Sequence, residues 1–181
     1  MNHPHCNASS FYIAKRCHRF VGFTLLELLI TLNILALLLT LAFPAMQEFI
    51  AKQQAERFLR EFQQQLNFAR ITAVSSGHTV QFCPRLAEQC LEQWWQLPIH
   101  IHLQRMDTQP ALLLRVLRQP LTSHWFYYNR SQLQFRPDGS LNALQNGTFV
   151  YCVKDYRWHY TVTLSQAGRS QLQFQPFPCP R

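Results

Sequence analysis

Glu27 is a carboxylate placed where a charge is hard to accommodate. It lies near the start of an apolar run from Leu25 to Phe43, in which the other polar residues are Thr31, Asn33 and Thr40. A charge in such a segment is costly inside a membrane and is usually retained because it has a specific partner. The sequence therefore predicts that Glu27 forms a charge pair.

The sequence has no pattern typical of a catalytic or metal site. It contains neither a Gly-x-Ser-x-Gly nucleophile motif nor a glycine-rich phosphate loop. No CxxC pair occurs, and the histidines lack zinc-finger spacing. His100 and His102 are close in sequence, but on a strand they simply share one face. We therefore expect no enzyme activity, no cofactor and no metal.

The run from Leu25 to Phe43 has the length and composition of a membrane span. At ~1.5 Å per residue, a helix of this length nearly crosses a ~30 Å hydrocarbon core. Three basic residues precede it, Lys15, Arg16 and Arg19, and no acidic residue occurs upstream of the run. By the positive-inside rule, the N-terminus stays in the cytoplasm and the chain after Phe43 is exported.

Gly22 is the small residue that separates the basic segment from the apolar run. An ordinary secretory signal is cut after its apolar region, but Ala42 and Ala45 lack the required spacing. The stretch from Gly22 through Phe23 to Glu27 instead resembles the type III signal of type IV pilins and type II secretion pseudopilins. In that family a glutamate is the fifth mature residue, which is the position of Glu27. The alternative is a single-pass anchor with a chance glutamate.

The resemblance implies how the N-terminal segment is processed and what it contacts. A prepilin peptidase would cut after Gly22 and methylate the amine of Phe23. The new α-amino group is then the nearest opposite charge to Glu27, and in a filament it can belong to a neighbouring subunit. The implied partners are other pilins, the peptidase and the bacterial inner membrane, with the C-terminal domain in the periplasm before it enters a pilus or pseudopilus.

The chain after Pro44 predicts an amphipathic helix that continues the apolar one. Apolar residues recur at helical spacing, so one helix is expected from about Thr24 to Val74, followed by the stop signal Ser75-Ser76-Gly77. The predicted segments are a leader (1–22), the membrane and assembly half of the helix (23–44), its amphipathic half (45–76) and a β domain (77–181).

Alternating apolar and polar residues after Gly77 predict antiparallel strands. The expected strands are His78–Cys83, Ile99–Arg105, Leu112–Leu117, Trp125–Tyr128, Leu133–Phe135, Thr148–Lys154, Trp158–Leu164 and Gln171–Phe174. A helix followed by strands indicates an α+β fold with the helix packed on an antiparallel sheet. Pilins share this lollipop-shaped arrangement, so the pattern and the resemblance imply the same fold.

Four cysteines lie beyond the predicted leader, and an even number in an exported domain predicts disulfides. They are Cys83, Cys90, Cys152 and Cys179. Three connectivities are possible. We favour Cys83–Cys90, which closes a short polar loop, and Cys152–Cys179, which ties the C-terminus to a predicted strand.

Motifs in the distal part resemble the minor pilins FimT and FimU and the pseudopilin GspH, which are classed together. They are Ala69-Arg70, Val80-Gln81-Phe82-Cys83-Pro84, Trp94-Trp95, Phe135-Arg136-Pro137-Asp138-Gly139, Gly147-Thr148-Phe149 and Ser165-Gln166-Ala167-Gly168-Arg169. The resemblance implies a minor pilin at or near the tip of a type IV pilus. The alternative is the H pseudopilin of type II secretion, because the anchors of the two machines look alike.

The C-terminal part of the chain carries a basic excess. From Arg105 to Arg181, nine basic residues face three acidic ones, a net charge of +6 in a chain of +8. Such a surface favours polyanions, although a solvated basic face explains it equally well. Together with the likeness to FimT, this predicts sequence-independent DNA binding for uptake in natural transformation. The candidate contacts are Arg169, Arg157, Lys154 and Arg130.

The last motif departs from the family pattern at one position. FimT-like sequences tend to read Gly-Arg-x-Arg where this chain has Gly168-Arg169-Ser170-Gln171. The second arginine is missing, which weakens the transfer of a DNA contact from the family. Arg169 remains, on what is predicted to be a tight turn between the last two strands.

Aromatic residues cluster at Trp125–Tyr128 and at residues 156–160, where they can offer stacking platforms for single-stranded nucleic acid. An antiparallel sheet buries alternate residues, so about half of these aromatics are expected inside. Phe135 and Phe149 are predicted to be core residues. Gly139 and Gly168 are predicted to serve turns that need a positive φ.

Overall fold

The computed structural model describes residues 23–87, 89–94, 96–105, 110–120 and 123–180. Gly22 and the predicted leader lie outside the described residues. The chain divides into two compact units, one ending at Phe43 and the other beginning at Pro44. A single helix, α1 (Leu25–Ser76), contributes to both units, and Pro44 lies inside it.

Both ends of α1 have local capping interactions. Thr24 precedes the first helical residue, and its hydroxyl accepts a hydrogen bond of 3.2 Å from the backbone N–H of Glu27. A threonine followed three residues later by glutamate is the sequence of a capping box. At the other end, Gly77 has a φ of +67° and its N–H donates to the Ala73 carbonyl at 3.1 Å. The predicted stop at Ser75-Ser76-Gly77 is confirmed.

One face of the second half of α1 is buried in the core of the Pro44–Arg181 unit. The buried residues recur every three or four positions: Ala51, Ala55, Leu59, Phe62, Leu66, Ala69 and Ala73. This spacing places them on one side of the helix, and the small alanines allow it to lie close to the strands beneath. The amphipathic pattern read from the sequence is confirmed.

Nine strands follow the helix in the described part of the chain, and all of their pairings are antiparallel. They are β1 (Val80–Leu86), β2 (Gln89–Cys90), β3 (Ile99–Leu103), β4 (Leu112–Leu117), β5 (His124–Tyr127), β6 (Leu133–Phe135), β7 (Gly147–Val153), β8 (His159–Leu164) and β9 (Ser170–Gln175). The first sheet has the order β2-β1-β3-β4, with β6 also paired to β1, and the second has the order β5-β7-β8-β9. The predicted α+β class is confirmed.

The structure differs from the predicted single sheet in two ways. The strands form two sheets, because β5 pairs with β7 rather than with its predecessor β4. Strand β2 was not expected, since its two residues are too short to show an alternating pattern. His100 and His102 share one face of β3, as predicted, with ring centroids 5.7 Å apart.

Aromatic rings fill the core between α1 and the sheets. The Phe62 ring lies 4.8 Å from the ring of Phe126 and 4.8 Å from that of Phe149, both edge to face. The Trp94 ring lies 5.0 Å from Phe149 in the same manner. Such pairs add about 0.5–1.5 kcal/mol each to the burial of apolar surface. Phe135 and Phe149 are fully buried, so their predicted core role is confirmed.

His124 makes the stability of the protein depend on pH. It is buried, and its Nδ1 is hydrogen-bonded to the hydroxyl of Tyr151. Burial lowers the pKa of His124 below its usual 6.5, so the folded protein binds this proton more weakly than the unfolded chain. As the pH falls below 6.5, the unfolded state gains the proton first, and stability decreases until the folded-state pKa is reached.

We therefore expect the temperature of the thermal unfolding midpoint to decrease as the pH is lowered from about 7 to about 5. His124→Gln should reduce this dependence without removing it, because burial and Arg85 also lower the pKa of His100. The hydrogen bonds from Ser140 lower the pKa of Asp138 as well, but this affects stability only below about pH 3.8, outside this interval. A midpoint in the native protein that does not change over the interval would contradict the expectation.

Candidate functional site

The segment from Phe23 to Phe43 exposes its apolar side chains along its whole length. Phe23 is 78% exposed, and the leucines and isoleucines that follow are exposed on every side of the helix. This part of α1 is long and apolar enough to cross a membrane. A helix that is apolar all round needs lipid or other helices as its surroundings.

Three of the four polar side chains between Leu25 and Phe43 donate hydrogen bonds to carbonyls of the helix itself. Thr31 donates to the Leu28 carbonyl at 2.9 Å, Asn33 to that of Leu29 at 2.8 Å and Thr40 to that of Leu37 at 2.7 Å. The fourth polar residue, Glu27, lies in the first turn of the helix.

The carboxylate of Glu27 is the exception in the apolar segment. It forms no ion pair or hydrogen bond with any of the described residues, whereas the backbone N–H of Glu27 donates to the Thr24 hydroxyl. It lies in the first turn of α1, where the helix dipole favours a negative charge by a fraction of a kcal/mol. That contribution is small compared with the cost of a charge in hydrocarbon, so Glu27 needs a positive partner from outside the described chain.

The four basic residues predicted to contact DNA do not converge on one site. Lys154 and Arg157 lie in the turn between β7 and β8, whereas Arg169 lies in the turn between β8 and β9. The two turns are at opposite ends of β8, whose six residues span ~20 Å. Arg130 follows β5 and lies at the same end of the sheet as Arg169, because Tyr127 pairs with Val150 near the start of β7.

Arg130 is held by backbone carbonyls. Its Nε donates to Leu144 at 2.8 Å, and its Nη1 donates to Asn129 at 3.3 Å. Its own carbonyl accepts a hydrogen bond of 2.6 Å from the indole of Trp94. Arg130 therefore orders the loop after β5 as well as carrying a charge.

Arg169 lies instead beside Arg60 and Arg70 of α1, which were not predicted from the sequence to contact DNA. Arg60, Arg70 and Arg169 line a cleft of about 450 Å³ together with Gln63, Gln64, Asn67, Gly168 and Ser170. None of the described acidic residues lines it, although Glu56 pairs with Arg60 from one turn away at 2.5 Å. The helical spacing of polar residues from Arg60 to Arg70 is the signal that could have identified this face.

Two glycine turns hold Arg70 in the cleft. The Arg70 Nε donates to the Gly139 carbonyl at 3.1 Å. Gly139 and Gly168 have φ angles of +77° and +72°, so their predicted conformations are confirmed. A Cβ on Gly168 would lie 2.5 Å from the Gly139 carbonyl oxygen, which explains why this turn tolerates no side chain. We name the set of Arg60, Arg70 and Arg169 the arginine cleft.

The end of the sheet that carries Lys154 and Arg157 has mixed charge. Arg157 lines a second cleft with Glu48, Lys52 and Asp155, among aromatic and proline side chains. Glu48 and Lys52 form an ion pair of 2.8 Å, and the Lys52 ammonium lies 5.5 Å from the Phe174 ring centroid. The acidic groups here make this end less favourable for a polyanion than the arginine cleft.

Two disulfides brace the sheets. Cys83 of β1 is bonded to Cys90 of β2, and Cys152 of β7 is bonded to Cys179 near the C-terminus. The aromatic cluster on β5 alternates as predicted, with Phe126 buried and Trp125 and Tyr127 exposed. In the part of the chain that the structure describes, no three His, Cys, Asp or Glu side chains lie close enough together to hold a metal ion.

Comparisons with known proteins agree with this architecture. The family model of the type II transport protein GspH matches residues 59–168. The type IV minor pilin FimU of Pseudomonas aeruginosa has a similar structure, with a TM-score of 0.55 and 22% identity over 69% of this chain and 92% of that one. The minor pseudopilin EpsH of the Vibrio cholerae type 2 secretion system gives a TM-score of 0.50 and 13% identity, over 66% and 96%. No curated protein sequence matches.

The family match covers more than half of the chain and includes the end of α1 from Leu59 and strands β1 to β8. It includes Arg60 and Arg70 of the arginine cleft and ends one residue before Arg169. The two solved structures share its fold, a long N-terminal helix packed on antiparallel sheets. Proteins of this type are structural subunits rather than enzymes. The chain therefore belongs to the GspH/FimT family of type IV minor pilins and type II secretion pseudopilins.

Proposed function

We propose that the protein is a minor pilin that enters a type IV pilus at or near its tip and supports pilus assembly. The observation that carries this proposal is the exposed apolar segment of α1 with its unpaired Glu27 carboxylate. Neighbouring apolar helices would cover the segment, and a neighbour's N-terminal amine would pair with Glu27. The role of H pseudopilin in type II secretion uses the same chemistry and has equal support.

The proposed route to the filament begins with a single-pass precursor in the bacterial inner membrane. Its N-terminus is cytoplasmic and its strand-rich part periplasmic, since the basic residues lie upstream of the apolar segment. A prepilin peptidase then cuts between Gly22 and Phe23 and methylates the new amine. Cleavage creates the positive charge that Glu27 requires, so processing and assembly are linked.

Processing gives the direct test of this function. We expect protein extracted from membranes to begin at Phe23, with a mass that includes one N-methyl group, because the peptidase recognises the Gly22–Phe23 boundary. N-terminal mass analysis measures both features, and Gly22→Val should leave the leader attached, whereas Ala42→Val should not. A chain that still begins near Met1, or one cut after Phe43, would contradict the proposal.

The arginine cleft supports a second candidate function, DNA binding for uptake in natural transformation. Three guanidinium groups around one cleft can contact several phosphates without reading base edges. Arg130 lies at the same end of the second sheet, and Lys154 and Arg157 can contact only a strand that extends past the other end. Arg169 remains the first candidate among the residues predicted from sequence, with the other three as supporting contacts.

DNA binding should be independent of sequence and sensitive to salt. If four phosphates are neutralised, the logarithm of the affinity should fall with the logarithm of the salt concentration with a slope of about −3 to −4. The double variant Arg60→Ala, Arg169→Ala should make this slope shallower by about 2. Lys154→Ala with Arg157→Ala removes the same charge and should have the smaller effect on affinity. Gln171→Arg, which restores the family's second arginine, should strengthen binding. Fluorescence polarisation with the full chain in detergent measures the DNA affinity and its salt slope for the native protein and these three variants.

Two outcomes would exclude this second function. One is the absence of binding at ~50 mM salt, where electrostatic binding is favoured. The other is an equal loss of affinity in the two double variants, which would indicate diffuse attraction to a basic protein rather than a site at the arginine cleft.

A further inference from the structure

The outer face of the second sheet is neutral although the protein is strongly basic. The side chains that alternate with the core positions of β7, β8 and β9 point to this face. Most of them carry hydroxyl or amide groups: Thr148, Thr161, Thr163, Gln171, Gln173 and Gln175. On this face the described strands contain no Asp, Glu, Lys or Arg. The charged side chains of the described residues therefore lie on other parts of the protein.

An aromatic pair borders this neutral face on the edge strand β5. Trp125 is 56% exposed and Tyr127 is 54% exposed, although both belong to a sheet whose other aromatics are largely buried. They line an apolar pocket of about 330 Å³, whose remaining walls are Val150, the Cys152–Cys179 disulfide and Pro180. A pocket of this size is within the range of small-ligand sites, and the disulfide fixes one of its walls.

The chemistry of this face excludes a polyanion as its natural ligand. Exposed aromatics on a sheet can stack with nucleic-acid bases, but such sites also carry cations that track the phosphates. Here Gln171 occupies the position where the family pattern has a second arginine, and the rows beside it are amides and hydroxyls. Arg169 is in the adjoining turn and lines the arginine cleft, a separate site.

We propose that the pocket between Trp125, Tyr127 and the Cys152–Cys179 disulfide, together with the glutamine and threonine rows beside it, binds a neutral glycan. A pyranose ring has an apolar C–H face that can stack on an indole or phenol ring. Its hydroxyl groups can both donate to and accept from glutamine amides and threonine hydroxyls. An apolar peptide side chain would fill the pocket but would leave those polar rows unused.

Calorimetric titration of the full chain tests this directly and does not depend on which filament the protein joins. The probes are chitohexaose and cellohexaose, two neutral glycans, and the detergent must lack a sugar head group. We expect binding that does not change with salt, because no charge is involved. Trp125→Ala and Tyr127→Ala should each weaken it about tenfold, and Trp125→Phe should recover part of the loss.

Leu144→Ala is the matched control, because Leu144 is 78% exposed but belongs to a loop outside this face. Leu144→Ala should bind the glycans as the native protein does, and so should the double variant Arg60→Ala, Arg169→Ala. Near-ultraviolet circular dichroism shows whether each variant retains its packed core. The proposal is overturned if neither glycan binds at about 10 mM or if Trp125→Ala binds equally well. Binding confined to a proline-rich peptide or to oligo-dT would also overturn it.

Discussion

Gly168→Ala is expected to lower the free energy of unfolding by about 3 kcal/mol or more. A φ of +72° costs an L-residue about 1–2 kcal/mol. The added methyl group would also lie 2.5 Å from the carbonyl oxygen of Gly139, a backbone atom that cannot rotate away. Relief of this contact requires separation of the two turns, and an overpacked contact of this kind costs about 1–3 kcal/mol.

The structural consequence should extend to Arg70, because Gly139 accepts its hydrogen bond. If the Gly139 turn moves, the arginine cleft loses the contact that orients its central guanidinium. Gly168→Ala should therefore weaken any DNA binding at this cleft even at temperatures where the protein remains folded. Neutral glycan binding on the outer face should change less, since Trp125 and Tyr127 do not contact this turn.

Gly77→Ala is the matched control for backbone conformation. Gly77 has nearly the same φ, +67°, but apart from its chain neighbours no atom of the described residues lies within 4 Å of an added Cβ. Gly77→Ala should lower the free energy of unfolding only by the cost of a positive φ, about 1–2 kcal/mol. Gly168→Asn isolates the close contact from the cost of a positive φ, because asparagine tolerates positive φ but retains the crowded Cβ. Denaturant unfolding with intact disulfides measures the free energy of unfolding of all three variants. Equal losses of free energy in Gly168→Ala and Gly77→Ala would show that the close contact is unimportant.

The sequence contained enough information to predict the elements of this fold. Helical spacing of apolar residues indicated the buried face of α1, and Gly77 indicated its end within two residues. Alternation predicted that about half of the aromatics of β5 are buried, because that pattern depends only on local geometry. Glu27 was identifiable as well, since one carboxylate in an apolar run requires no tertiary information.

The arrangement of the site depends on contacts that are distant in sequence. Arg70, Gly139 and Gly168 come together only because two turns from different sheets meet the same helix. The division into two sheets likewise depends on how β5 pairs, which alternation does not specify. The separation of Arg157 from Arg169 was accessible, because successive turns of antiparallel strands lie at opposite ends of a sheet. The neutrality of the outer face became visible only once strand register was known.

Glu27→Ala is expected to abolish most incorporation into filaments while leaving the protein inserted in the membrane. Insertion should improve, because alanine replaces a costly charge. Assembly should fail, because the N-terminal amine of a neighbouring subunit would lose its partner in an apolar surrounding. Removing one partner of a buried ion pair costs about 3–5 kcal/mol. Since each 1.4 kcal/mol is a tenfold change, contact with neighbours should fall by much more than tenfold.

Photo-crosslinking from position 32 measures this contact, because Leu32 is exposed in the apolar segment and leaves Glu27 intact. The identity of the crosslinked subunit also distinguishes the two machines: a pilus subunit supports the minor pilin, and a secretion subunit supports the pseudopilin. Glu27→Gln should behave like Glu27→Ala if charge is what matters. Glu61→Ala, which removes an exposed carboxylate from the polar half of α1, should crosslink normally. Equal yields from Glu27→Ala and the native chain would show that the carboxylate serves a purpose other than pairing between subunits.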